Sequence, residues 1–499
     1  MSKTSSPETL RMTGKQKTIL LVLLGAQFMF AVDFSILTVA LPKIGDDLGF
    51  GIDSLQWVVS AFALTAAGFM LLFGRIGDIV GRKKLFLAGM ALLTVSSLIG
   101  GLATSPEIML AARIAQGLAT AIVTPSGMAL ITTSFEEGPL RTKALGLNGA
   151  LLSLGFASGA ILGGVLTDLL SWRWDFFINV PVGIVLFFAG IAVISESVSD
   201  SRPKLDVPGA ITVTAGLLAF VFGITGIERN GWAAPQTWGT LLLAAVLLVA
   251  FYLIELKSAA PLAPVAILKS NSVKWGNLGG LLTFSMESAL SFLLTLYMQQ
   301  VLELTAFQTG LMFGFLGLGA FLGGTFASKI LARTGAKGGL VLGLVIQAVM
   351  TGVLFWLGDN KTAGIVAILV TTFIGGFGHV IAIVAYSVTA TSGIDDSEQG
   401  LATGLATMTQ QIGFTLGIPV MSAIAASQYG ELTDGVASVA GVLTGTTFGM
   451  FVDGLIVLGG ALLVALFLRA DKPAAAQSSR QPAEAATAPA GERVLVDAK

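Results

Sequence analysis

The chain contains no cysteine and a single histidine, and only 11% of its 499 residues are charged. Without cysteine there is no disulfide and no thiol to act as nucleophile or ligand. One histidine, with no carboxylates grouped at metal-site spacing, leaves an enzyme or a metal centre without evident equipment. No G-x-x-x-x-G-K-[ST] stretch is present to cradle a nucleotide phosphate, which argues against ATP-driven work. Soluble proteins carry about 25% charged residues, so the scarcity of charge excludes an ordinary globular domain. No cofactor, metal or nucleic-acid partner is expected.

What the chain has in their place is apolar residues, 54% of the total, and 62 glycines, with a mean hydropathy of +0.85. A helix that spans a bilayer needs about 20 predominantly apolar residues, and glycine lets such helices pack backbone to backbone. Apolar runs of that kind fall near 18–41, 55–73, 85–103, 107–132, 143–170, 174–194, 207–227 and 238–256. Six more fall near 273–300, 308–329, 338–357, 363–386, 399–425 and 448–469. The expected fold is therefore an all-α polytopic membrane protein with fourteen transmembrane helices. The longest connection between runs, 257–272, divides the chain, so two six-helix bundles (18–194 and 273–469) with two inserted helices (207–256) are expected. Residues 1–17 are polar and basic and read as a retained tail rather than a cleaved signal, because the apolar run after them is too long for one. Residues 470–499, rich in alanine and proline, read as a disordered tail.

Lysine and arginine concentrate in cytoplasmic segments of membrane proteins. With the N-terminus inside, twenty-three of the 28 basic residues fall in inner segments. Only Lys43, Arg173, Arg229 and Lys361 fall outside, and Arg113 lies within the fourth span. Both termini are therefore expected on the cytoplasmic side of the plasma membrane.

Between spans 2 and 3 stands "GRIGDIVGRKKLF", residues 74–86. Gly74, Asp78, Gly81, Arg82 and Lys83 match, position by position, the G-x-x-x-D-x-x-G-R-K/R-K/R signature of the major facilitator superfamily, which this stretch closely resembles. "RIAQG" in span 4 resembles the R-x-x-Q-G motif of that family, through Arg113, Gln116 and Gly117. "GFASGAILGG" in span 5 is similar to the antiporter motif G-x-x-x-G-P-x-x-G-G, with Ala160 where that motif has proline. "VDFSILTVALP", "SWRWDFFINVPVG" and, more loosely, "LYMQQVLELT" with Glu303 at a glycine position, resemble segments of the fourteen-span drug:proton antiporters. The resemblance spans about 15–470 and implies alternating access, no cofactor beyond a proton gradient, and a chain that functions as a monomer. Independently of any family, Gly155, Gly159 and Gly163 recur every four residues and, with Gly164, offer a helix-packing seam.

An ionisable group inside lipid costs several kcal/mol and calls for a partner or a use. Asp33 lies roughly 12 Å from the outer end of span 1, and Arg113 roughly 9 Å from that of span 4, by helix rise. Opposite charges at matched depth can pair statically, or the carboxylate can hold a proton whenever the arginine moves away. The family resemblance implies the second use. Glu287, near the middle of span 9, has no lysine or arginine at its depth in the C-terminal half; it is expected to be protonated, to bind a cationic substrate or to carry a second proton. His379 is expected to be a packed, hydrogen-bonded side chain or a coupling group. Gln27, Gln116, Asn148, Gln347, Gln410 and Gln411 line a central cavity or bond between helices. Asp168 and Asp453 lie near helix ends and are expected to be solvated. The inner loop with Asp395, Asp396 and Glu398 carries no basic residue, and it is expected to latch onto the basic loop of Arg82 and Lys83, with Asp78 near the start of span 13. Thirty-one phenylalanines and few charges suit a lipophilic or amphipathic ligand. The expected function is proton-coupled export of such molecules, with proton-coupled uptake or exchange of a metabolite as the alternative.

Overall fold

The computed structural model describes residues 12–135, 139–196, 206–230, 234–258, 261–262, 267, 269–394, 399–430 and 437–469. All regular structure among them is helical. In chain order the helices are α1 (Gly14–Leu48), α2 (Ile52–Leu55), α3 (Trp57–Val80), α4 (Arg82–Gly101), α5 (Pro106–Ser134), α6 (Pro139–Leu169), α7 (Arg173–Phe177) and α8 (Asn179–Val193). They continue as α9 (Val207–Asn230), α10 (Pro235–Glu255), α11 (Asn271–Leu296), α12 (Ala306–Val353), α13 (Lys361–Thr391), α14 (Gln399–Ala426) and α15 (Val439–Phe467). Among the described residues, ten elements are long and apolar enough to cross a membrane.

Local chemistry sets the helix ends. Thr13 and Gln16 form a reciprocal capping box at the start of α1, and Thr305 and Gln308 form another at the start of α12. Ser105 accepts from the Ile108 N–H ahead of a proline in the first turn of α5. Gly49 ends α1 in the left-handed conformation, φ 74°. At 35 residues, α1 is about 52 Å long and outruns the hydrocarbon layer, so the sequence runs underestimate helix length. α12 is two helices in sequence: Gly335, at φ 72°, turns the chain back, and a Cβ on Gly339 would strike the Leu331 side chain. In a straight helix those two residues would sit about 12 Å apart.

α1 and α11 run in the same direction: just past the end of α11, the Gln299 amide donates to the Val39 carbonyl in the second half of α1 (2.8 Å). The start of α11 meets the end of α15 through the Arg469 N–H and Asn271 (2.8 Å). Both ends of the described chain therefore lie at one end of the molecule, here the near end. At the opposite, far end a single apolar core joins the two halves, from Ile36, Leu41 and Val58 to Leu293, Tyr297 and Met421. Toward the near end each half keeps a core of its own, one around Leu23, Phe86 and Phe135, the other around Leu344, Ala385 and Val464. α9 and α10 pair with each other, and α9 lies against both α3 and α14.

Candidate functional site

Asp33 and Arg113 are fully buried and paired, Arg113 Nη1 donating to Asp33 Oδ2 at 3.0 Å. The same Nη1 reaches Gln116 Oε1 (2.7 Å), Nε donates to the Val58 carbonyl (2.8 Å), and the guanidinium carbon stands 4.3 Å from the centre of the Phe62 ring. Nη2 finds no acceptor among the described residues. Gln116 Nε2 donates to Asp33 Oδ1 (3.0 Å) and to Ser97 Oγ (2.9 Å), and the Asn179 amide donates to Asp33 Oδ1 as well. One carboxylate thus receives donors from α5 and α8, and the network ties in α3 and α4. Sequence reasoning gave Asn179 no role. A carboxamide in an apolar run is a weaker signal than a charge, but it is a signal.

The glycines of the site hold these helices close. A Cβ on Gly117 would strike the Phe62 carbonyl, so only glycine lets α5 approach α3 beside Arg113. Gly155, Gly159 and Gly163 lie directly on the backbone of α1, against Phe28, Val32 and Ile36, the turns that carry Asp33. Gly164 and Ala160 use another face of α6: Gly164 meets Ala306, and the Ala160 carbonyl sits over Gly310. At the end of that seam Asp168 accepts from the Phe307 N–H (2.7 Å), docking a carboxylate on the start of α12. Asp168 is exposed, as its place near a helix end suggests, but it also links the two halves.

Asp453 corrects the sequence reading. It is 4% exposed and sits in the middle of α15, because that helix begins at Val439, capped by Ser438, earlier than the apolar run suggests. Glu287, 3% exposed, has its Oε2 3.7 Å from His379 Nδ1, and Gln347 Nε2 lies 2.7 Å from the same nitrogen. The histidine is therefore in a polar cluster rather than alone among apolar neighbours.

Phenylalanine rings connect the two polar clusters. Phe34 packs on Phe62 (6.0 Å), Phe156 (6.2 Å) and Phe414 (4.9 Å). Phe414 packs on Phe284 (5.1 Å), which meets the His379 ring (6.0 Å). The rings come from α1, α3, α6, α11 and α14 and cross from one half to the other. Beside them a small cavity is lined by Ser35, Thr38, Phe156, Ala160, Ser291, Phe313 and Leu316. A second runs from Glu287 and Met286 to Thr351 and Thr372. Gln27, Asn148, Gln347, Gln410 and Gln411 line neither. Gln27 bonds between helices, to the Thr124 carbonyl (3.2 Å), and Asn148 is buried with its Oδ1 unpartnered among the described residues.

In the motif between α3 and α4, Gly81 has φ 119°, in the region that favours glycine, and the Glu196 carboxylate occupies the space a Cβ there would need. Glu196 also accepts from the Lys83 N–H (3.0 Å), while the Lys83 ammonium donates to the Ile191 carbonyl (2.9 Å). Gly74 packs on Pro125. Lys83 is thus engaged with the end of α8 in its own half. Asp395, Asp396 and Glu398 lie outside the described residues, as does the side chain of Asp78. Glu303 has φ 51°, a backbone shape that explains why glycine suits this position in the resembling motif.

Long apolar helices in two halves, with buried charged networks facing a shared aromatic layer, define an integral membrane transporter. The chain belongs to the Major Facilitator Superfamily, which it matches over residues 23–418. It is 38% identical to the cephamycin export protein CmcT of Amycolatopsis lactamdurans, over 85% of this chain and 90% of that one. It is 32% identical to the puromycin resistance protein pur8 of Streptomyces alboniger, over 90% of this chain and 89% of that one. The human organic anion transporter MFSD10 shares the fold, with a TM-score of 0.60 at 16% identity, covering 92% of this chain and all of that one.

Proposed function

We propose that this protein exports lipophilic or amphipathic small molecules, antibiotics among them, in exchange for protons. The observation that carries the proposal is the buried Asp33–Arg113 pair beneath an aromatic layer shared by both halves. While Arg113 stays close, the charged carboxylate is favoured; in the same dry setting without it, the neutral acid is favoured. A helix movement that separates them therefore loads a proton, and one that rejoins them releases it. The relatives that export cephamycin and resist puromycin support a drug-like substrate.

Fourteen crossings are supported by counting α12 twice at Gly335 and by adding α3, α6 and α14, which are of spanning length, to the ten apolar elements. They divide into six-helix bundles at 18–194 and 273–469, with the pair at 207–256 inserted. The excess of lysine and arginine puts the near end, with both termini, in the cytoplasm. The joined core at the far end is then an outer gate in its closed state. Efflux of a fluorescent dye from cells expressing the chain, with and without a protonophore, tests the proposal. Efflux is expected to collapse with the protonophore and in Asp33→Asn; undiminished efflux in either case overturns the coupling.

A further inference from the structure

The C-terminal half holds its own buried titratable cluster, built from four helices. Glu287 comes from α11, Gln347 from α12, His379 from α13 and Asp453 from α15. Gln347 is fully buried, and Glu287 and Asp453 are 3% and 4% exposed. Both carboxyls lie against the same stretch of α12: Glu287 shares a cavity with Thr351, and Asp453 is next to Gly454, which packs on Ala348 and Gly352. Thr351 also donates to Met286 Sδ beside Glu287 (3.7 Å).

Donors are short here. Glu287 Oε1, Asp453 Oδ2 and Gln347 Oε1 are buried acceptors with no donor among the described residues. Buried polar atoms are satisfied almost without exception, and an unpaired buried carboxylate is costly. The cluster cannot be balanced by a fixed cation. α14 contributes no charged residue, α15 none besides Asp453, and α13 none on this face besides His379, Tyr386 being spent on the Ala406 carbonyl (2.6 Å). On α12, Lys337 lies ten residues from Gln347, about 15 Å along the helix, and on α11 Lys274 is about 20 Å from Glu287. Asp33, on α1, is committed to Arg113. A proton on either carboxyl turns one orphan acceptor into a donor and removes the repulsion in a single step.

We propose that Glu287 and Asp453, with His379 and Gln347 beside them, form a second proton-binding site, distinct from Asp33 and separated from it by the phenylalanine layer. The proton comes from water on one side of the membrane and leaves to water on the other. The service of this site to transport, one further proton per cycle, rests on the exchange proposed above; the binding of the proton does not. Infrared difference spectroscopy of the purified full-length protein reads protonated carboxyls directly. In Asp33→Asn a protonated-carboxyl C=O band is expected at neutral pH, lost on going to alkaline pH. Adding Glu287→Gln and Asp453→Asn together is expected to take away the share of the band that these two carboxyls supply, leaving what the separate buried Asp175 contributes, and to lower proton uptake on acidification by one per chain. If that variant does not fold, Glu287→Asp in the Asp33→Asn background is expected to keep the band at a shifted frequency. A band absent from Asp33→Asn, identical in the triple variant or unshifted in Glu287→Asp overturns the site. So does a band abolished by replacing choline with sodium, which would make the cluster a cation site. Because none of these readouts uses transport, they stand apart from the dye-efflux test of Asp33.

Discussion

Asp33 and Arg113 are partners of unequal independence, and the inequality has a measurable consequence. Arginine cannot shed its proton in a protein, whereas a buried aspartate can acquire one. Asp33→Asn keeps the shape and an acceptor for Arg113 Nη1, but it deprives a fully buried guanidinium of the carboxylate in contact with it. A buried charge stripped of its partner costs about 3–5 kcal/mol. Arg113→Met leaves Asp33 with the Gln116 and Asn179 donors and the option of a proton. Its cost is the lost bond to the Val58 carbonyl and the lost contact over Phe62, about 1–3 kcal/mol. Thermal unfolding of the detergent-purified protein should therefore rank wild type above Arg113→Met and Arg113→Met above Asp33→Asn. The double variant should recover part of the Asp33→Asn loss, a coupling of about 2 kcal/mol. If Arg113→Met is the worse of the two and the double variant is simply additive, the pair does not balance its charge in the way described.

Three further outcomes follow from the packing. Gly159→Val places side-chain atoms in the Val32 backbone and the Ser35 hydroxyl and should abolish efflux; Gly314→Ala, whose Cβ would meet only the Ile161 side chain at 3.4 Å, should leave it near wild type, as dye efflux will show. Asp168→Asn weakens a charge-assisted bond to the start of α12 by about 1 kcal/mol, and spin labels at the far ends of α6 and α12 should report a larger separated population, an unchanged distance distribution counting against an outer closure there. Phe414→Ala removes the ring that joins Phe34 and Phe156 to Phe284, so efflux of aromatic dyes should fall at least tenfold while the purified protein stays monodisperse; an unaffected rate would move the substrate elsewhere.

The helices were legible in the sequence because lipid enforces long apolar runs, and Asp33 and Arg113 were legible because a charge stands out in one. Helix rise gave them matching depth, and the fold supplied the adjacency of α1 and α5 that pairs them. Asn179, which completes the network, was not legible, since an amide is a fainter mark in the same background. Asp453 was misplaced because the start of α15, Val439 to Thr447, is rich in glycine and threonine and looks like loop until Ser438 is seen to cap it. The company of His379 could not be read at all: Gln347 and Glu287 reach it from helices whose neighbours only the fold decides. With 31 phenylalanines to choose from, no pattern singles out the ones that meet between the halves.

α9 touches one helix from each half, α3 and α14, and its side chain Thr214 donates to the Gly68 carbonyl of α3 at 2.6 Å. If α3 and α14 draw apart, α9 cannot follow both. The hydrogen bond ties it to α3, so any parting of α3 from α14 has to take place across a face that α9 covers like a rail. A lipid tail approaching that side of the molecule would then meet the rail before it met the gap.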